Sequence, residues 1–228
     1  MKYRGIVIVV EGQTEEEFVN VSLRPWFNSL GIYDVRAICI ITSKTAKGGN
    51  SNYEKLKNDV TRYLKQEQDI LVTSFVDFFR LPTNFPNYAE AKKITDVLKK
   101  VSFLEESLAK DINSARFIPY IQLHEFEALL FTDVRGFQNI PKVNESHLKQ
   151  VLKIIENYPN PELINDSPQT APSKRLEQII PRYGKLKVLY GNNIIKDNSF
   201  SAILQKCPRF KNWIQTLART IKPEINFD

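Results

Sequence analysis

Along residues 1–131, short β-branched and apolar runs alternate with stretches in which apolar positions recur every three or four residues. That alternation predicts an α/β domain with a parallel sheet. Strands are expected at residues 5–10, 35–41, 70–76 and 116–122, each nearly continuous in apolar residues, as befits strands covered by helices on both faces. A first helix is predicted from Thr14, where Thr14-Glu15-Glu16-Glu17 reads as a capping box. Its apolar stripe is Val19, Leu23, Trp26, Phe27 and Leu30, and Gly31 stands where a left-handed cap belongs.

A second helix reads from Ser51, whose spacing to Glu54 gives another capping box, with Tyr53, Leu56, Val60 and Leu64 facing inward. A third covers about residues 88–111, with Ile94, Leu98, Val101, Leu104 and Leu108 as its stripe and a break expected near Ser102. After Phe131 the texture changes to proline-punctuated helices, read as a helical extension over residues 132–228 packed on the first domain. In it, residues 144–158 carry a helical stripe, Pro159, Pro161, Pro168 and Pro172 mark an irregular connection, Ser173 is placed to cap a helix, and residues 199–217 form the last one.

Composition narrows this picture. With 228 residues and 42% hydrophobic content the chain can bury a sizeable core, and it contains no apolar run of the roughly 18 residues a membrane span needs. Two cysteines, Cys39 and Cys207, make neither a disulfide framework nor a closed zinc site, so a reduced, cytoplasmic protein is expected. The 32 basic against 26 acidic residues give a net charge of +6 and a pI near 9.2, which permits a polyanionic partner without requiring one. Paired lysines and arginines, Lys185 and Lys187 among them, read first as solvated surface.

The segment Val9-Val10-Glu11-Gly12-Gln13-Thr14-Glu15 puts one acid at the C-terminal end of the first strand and another in the first helical turn. Ligands of open α/β sheets gather at that edge. Asp77 ends the third predicted strand, so the topology brings it beside Glu11. Converging carboxylates repel one another unless a cation joins them, and carboxylate oxygens are the donors Mg²⁺ and Mn²⁺ prefer. The alternatives are structural: acids at 15–17 complement the helix dipole, and Asp77 opens a turn.

These residues carry a resemblance. Glu-Gly-x-Thr-Glu after the first strand, Gly48-Gly49-Asn50 before the second helix and Asp77 after the third strand resemble the TOPRIM domain of topoisomerases, primases and overcoming-lysogenization-defect (OLD) nucleases. Val76-Asp77-Phe78-Phe79-Arg80-Leu81-Pro82, the run from Pro119 to Phe131, and Ala171-Pro172-Ser173-Lys174-Arg175 look more closely like a bacterial TOPRIM-like family related to OLD nucleases, whose members are often encoded beside an ABC/AAA-type ATPase. The resemblance implies a TOPRIM-like, Rossmann-like parallel sheet, Mg²⁺ or Mn²⁺ as cofactor, and Glu11, Glu15 and Asp77 as catalytic metal ligands. Phe79 stands where the second acid of Asp-x-Asp is expected, so Glu127, with His124 and Glu125 as further candidates, is the replacement of choice.

Gly48, Gly49 and Asn50 before a helix start offer amides to a phosphate, with Lys47, Lys174 and Arg175 as neutralising charges and Lys174 in a catalytic position. Tyr120, Tyr183 and Trp213 are candidates for base stacking, with core packing as the alternative use of Trp213. The expected function is metal-dependent cleavage of nucleic acid, DNA in preference to RNA, by the effector of a split OLD-like pair in phage defence. No Walker motif is present, so an ATPase is expected as a separate subunit. The rival is a TOPRIM-fold docking subunit that has lost catalysis. A topoisomerase would need a tyrosine-bearing module and a primase a zinc-binding cysteine set, neither of which the sequence shows.

Overall fold

The computed structural model describes residues 3–40, 53–165, 167 and 169–227, and of Arg80 the backbone only. Five strands form a parallel sheet: β1 (Gly5–Val10), β2 (Asp34–Cys39), β3 (Ile70–Asp77), β4 (Phe117–Ile118) and β5 (Ile121–Gln122). The order is β2-β1-β3-β4, and β5 pairs with β3 beyond β4. The expected α/β fold, a parallel sheet flanked by helices, is the fold observed. Every residue of β1 and β3 is buried, which is why both read as unbroken apolar runs rather than alternating ones.

The fourth expected strand is divided in two. Pro119 has no amide to give the ladder, and Ser74 bridges the gap: its hydroxyl donates to the Tyr120 carbonyl and accepts from the Tyr120 amide, both at 3.0 Å. Thr73 ties the same edge, donating to the carbonyl of Ile118 and accepting from Trp213 Nε1.

Helices cover both faces. On one, α3 (Tyr53–Gln66) and α5 (Val97–Ile112) pack Leu56, Val60, Val101 and Leu104 against Val7, Val9 and Val72. On the other, α1 (Gln13–Phe18) and α2 (Arg24–Ser29) share a core with α6 (Glu145–Asn157), α7 (Pro172–Ile179), α8 (Tyr183–Asn198), α9 (Phe200–Lys206) and α10 (Pro208–Ile221). At its centre Phe18, Phe75, Phe126, Phe210 and Trp213 make tilted and edge-on ring contacts.

Several local expectations are corrected. The Thr14 capping box does not form: α1 starts at Gln13 with Gly12 as an extended N-cap, and Thr14 is buried inside the first turn. Between α1 and α2 the chain passes Val19–Leu23 in the wider π register, next to Pro25, which lacks the amide that an α-helical bond to Val21 would need. Gly31 is left-handed, as its place after the helix predicts. The break in the third helix falls between α4 (Tyr88–Ala91) and α5 rather than near Ser102, because Asp96 restarts the helix by accepting from the Lys99 amide at 3.0 Å. Leu98 is therefore exposed. Ser173 is not a cap: α7 opens at Pro172 after Ala171. The last expected helix is two, α9 and α10, divided at Cys207 with Pro208 opening the second. The Ser51 capping box lies outside the described residues. Among the described residues no helix is long and apolar enough to cross a membrane.

Candidate acidic active site

The sheet brings its first two acids together directly. Val10 is in register with Phe75, so Glu11 leaves β1 level with the end of β3, and its Oε1 accepts from the Asp77 amide at 3.0 Å. Asp77 is buried, and its Oδ1 accepts from the Phe126 amide at 2.9 Å. The end of β3 is thus tied both to β1 and to the short 3₁₀ helix Phe126–Thr132 that follows β5.

That 3₁₀ helix carries Glu127, which has no solvent exposure at all. One oxygen forms an ion pair with Lys187 Nζ at 2.6 Å, and the other, Oε2, has no hydrogen-bond partner. Glu15, in the first turn of α1, completes the group. Burial pushes its carboxyl up to about 7, with Glu11 and Glu127 adding to the rise and its own backbone amide and Lys187 opposing it. Burial likewise holds Asp77 well above the usual carboxylate range, reinforced by Glu11, Glu15 and Glu127. Glu127 is raised by burial against the pull of Lys187. For Lys187 burial works against the charge, but Glu127, Asp77 and Glu15 more than offset it, and the ammonium is kept protonated.

The remaining candidates are placed elsewhere or held by other partners. Glu125 stands at the N-terminal boundary of the 3₁₀ helix, and its carboxylate, which makes no capping bond there, accepts from the amide and hydroxyl of Ser173 at 2.9 and 3.1 Å, fastening α7 to the site's rim. His124 does not share a helical face with Glu127; it lies before the helix in the left-handed region, φ 66°, with Nδ1 3.0 Å from the Asn165 amide nitrogen. Phe79, at the position of the missing acid, points outward and is 44% exposed. Lys174 pairs with Glu177 on the surface of α7, and Arg175 donates to the Thr170 carbonyl while lying over the Tyr158 ring. Lys47, Gly48, Gly49 and Asn50 lie outside the described residues. Base stacking by Tyr120, Tyr183 or Trp213 is ruled out where they stand: all three are buried, and Tyr120 and Trp213 stack on each other at 4.3 Å. Cys39 donates a hydrogen bond from its thiol to Glu16, and burial followed by that contact pushes its pKa up to about 12, so the thiol stays protonated at neutral pH.

Sequence reading missed Lys187 as a site residue. The signal was there: Tyr183, Lys187, Tyr190, Ile194 and Asn198 recur at helical spacing, and all but Lys187 are buried outright on that stripe. A lysine on an otherwise buried helical face needs a buried acid to meet it. Tyr183 belongs to the same place, since its hydroxyl is buried without a hydrogen-bond partner and feels Glu127, Glu125 and Glu15.

The donors are hard oxygens, and the orphaned Glu127 oxygen and Tyr183 hydroxyl leave coordination unsatisfied, which suits Mg²⁺ or Mn²⁺ in chemistry. In distance the site is not gathered: among the described residues no three acidic, histidine or cysteine side chains stand close enough to hold one ion.

Fold and site together define a parallel α/β protein with a buried acidic cluster at the C-terminal edge of its sheet. Residues 10–218 match the family described as "Domain of unknown function (DUF4276)", and the chain belongs to that family. No curated protein matches the sequence. Among solved structures, the C-terminal region of the OLD protein of Xanthomonas campestris pv. campestris, phased with platinum, is similar at 16% identity and a TM-score of 0.42 over 96% of this chain and 97% of that one. The mercury-phased structure of the same region gives 16% and 0.42 over 94% and 98%.

Proposed function

We propose that the chain cleaves phosphodiester bonds in nucleic acid with the help of Mg²⁺ or Mn²⁺ held by Glu11, Glu15, Asp77 and Glu127. The observation that carries this reading is that β1, α1, β3 and the 3₁₀ helix place these acids at one edge of the sheet, not gathered around one point, with burial raising Glu15, Asp77 and Glu127. Burying several acids near one another costs folding energy, and perturbed carboxyls of this kind are enriched at functional sites. A divalent ion there supplies Lewis-acid stabilisation of a phosphate's developing charge and lowers the pKa of a bound water.

The chain's own groups do the rest. Glu11 and Asp77 are positioned through backbone amides, so their orientation does not depend on mobile side chains. The net charge of +6 favours a polyanionic substrate, with DNA put ahead of RNA. A separate ATPase subunit and a place in phage defence belong to the same reading and rest on the family resemblance.

The test is incubation of the purified chain, alone and with an ATPase encoded beside it, with supercoiled DNA and with RNA in Mg²⁺ or Mn²⁺. Divalent-dependent cleavage that disappears in folded Glu11→Ala and Asp77→Ala variants is expected; cleavage persisting in both overturns the assignment. One observation favours the docking reading, in which catalysis is lost: Lys187 already answers Glu127, and an exposed Phe79 replaces an acid. Stable association with the ATPase, with neither cleavage nor metal uptake, is the outcome that selects it.

A further inference from the structure

One wall of the acidic edge hangs on a very short strand. β5 is two residues, Ile121 and Gln122, in register with Val76 and Asp77. Just beyond it the Phe126 amide donates to Asp77 Oδ1, and in between the His124 carbonyl accepts from the Phe79 amide at 3.0 Å. Strands this short are rarely self-supporting, and Pro119 interrupts the edge between β4 and β5. Side chains close it instead. Glu105 Oε1, from α5, accepts from the Ile121 amide at 2.9 Å, and Arg209 Nη1, from α10, donates to the Ile121 carbonyl at 3.1 Å. The two side chains also pair with each other, Arg209 Nη2 to Glu105 Oε1 at 2.8 Å, each 18% exposed. An acceptor and a donor thus meet Ile121 as a neighbouring strand would. Arg209 is itself fixed: buried Glu162 accepts from the amides of Arg209 and Phe210 at 2.9 and 3.1 Å in the first turn of α10, and the guanidinium lies 5.6 Å from the centre of the Tyr120 ring. A buried ion pair is commonly no more stabilising than apolar residues of the same volume. What this one adds is direction, two hydrogen bonds on a single residue of the strand.

We propose that Glu105 and Arg209 are positioning residues for the acidic edge: they take the place of the neighbour β5 lacks and so fix the Phe126 amide against Asp77. Helix α10 then belongs to the framework of the site although it contributes no acid to it, and the orientation of Asp77 depends on a residue far along the chain. A pair that only steadied the fold would protect every strand alike. A pair that positions protects Ile121 and Phe126 before the central strands. The inference rests on the acidic edge being the working site of the proposed cleavage, and it adds the groups that hold that edge in shape.

Amide hydrogen exchange followed by NMR reads this coupling with neither metal nor substrate present. In the wild type the Ile121 and Phe126 amides are expected to exchange through one shared opening, with the same dependence on urea. Different dependences overturn the proposal, and because no substitution is involved this result stands even if Arg209→Met does not fold. In Arg209→Met, exchange at Ile121 and Phe126 is expected to quicken by at least about tenfold, the scale of a lost hydrogen bond to a charged group, beyond any change at Val7 and Ile8 of the central β1. Equal quickening at all four amides means that the pair only steadies the fold, and an unchanged Phe126 means that Asp77 is held without it; either result overturns the positioning role. In a chain that cleaves nucleic acid, Arg209→Met should lower kcat by at least about tenfold with KM unchanged, and an unchanged kcat likewise counts against the proposal. A wild type that cleaves nothing removes the proposed function, while the exchange results still decide whether Glu105 and Arg209 position Asp77.

Discussion

At the scale of single residues, the Glu127–Lys187 pair makes a clear prediction about stability. Lys187→Met leaves a carboxyl with no exposure and no partner. Breaking a fully buried pair costs about 3–5 kcal/mol, and because the Lys187 side chain is 29% exposed a loss of about 2 kcal/mol is expected in urea denaturation, most of it recovered in Glu127→Gln/Lys187→Met. Glu15 makes another. Its carboxyl is raised in the folded protein from 4.5 to about 7, so the folded state holds the proton more tightly than the unfolded chain. The stabilisation this brings is complete below about pH 4.5 and is lost as the pH climbs through about 7. Metal-free wild type should therefore lose stability across that window, and Glu15→Gln should flatten the slope; an unchanged slope in urea midpoints against pH would remove Glu15 as its source.

At the scale of elements, caps and prolines decide where helices begin. Asp96 restarts the chain after the α4–α5 gap, so Asp96→Ala should cost about 1 kcal/mol, read as a lowered thermal midpoint, with the α5 stripe of Val101, Leu104 and Leu108 still buried. The strands were legible because β1 and β3 are buried on both faces, and the acids at their ends followed from strand length alone: Glu11 and Asp77 are the first charges after each run. What the sequence concealed was competition among local signals. Thr14 has capping spacing, yet Gly12 in an extended conformation lets the helix start earlier and takes Thr14 into the core. Helix α8 was hidden because Tyr183 and Lys187 each had an acceptable surface explanation, and only the tertiary contact with Glu127 joins them.

At the scale of the whole molecule, one face of the sheet is covered largely by residues beyond 131, and Phe210 and Trp213 pack on Phe75 of the central strand. A chain ending at Phe131 would expose Ile6, Ile8, Val10, Leu71 and Phe75, and it is expected to show no cooperative thermal transition and to bind a hydrophobic dye. A sharp transition for that fragment would mean that α1 and α2 suffice to cover the face. The ring cluster has a temporal consequence as well. It joins Phe18 to Trp213, contacts of very high sequence separation, and such closures are slow to form. During synthesis the central strands leave the ribosome well before the helices that shelter them, and Glu127 emerges sixty residues ahead of Lys187. The nascent chain thus carries an acidic edge without its cationic partner until Lys187 and the helices around it have been made, so this corner of the fold is among the later parts to be completed.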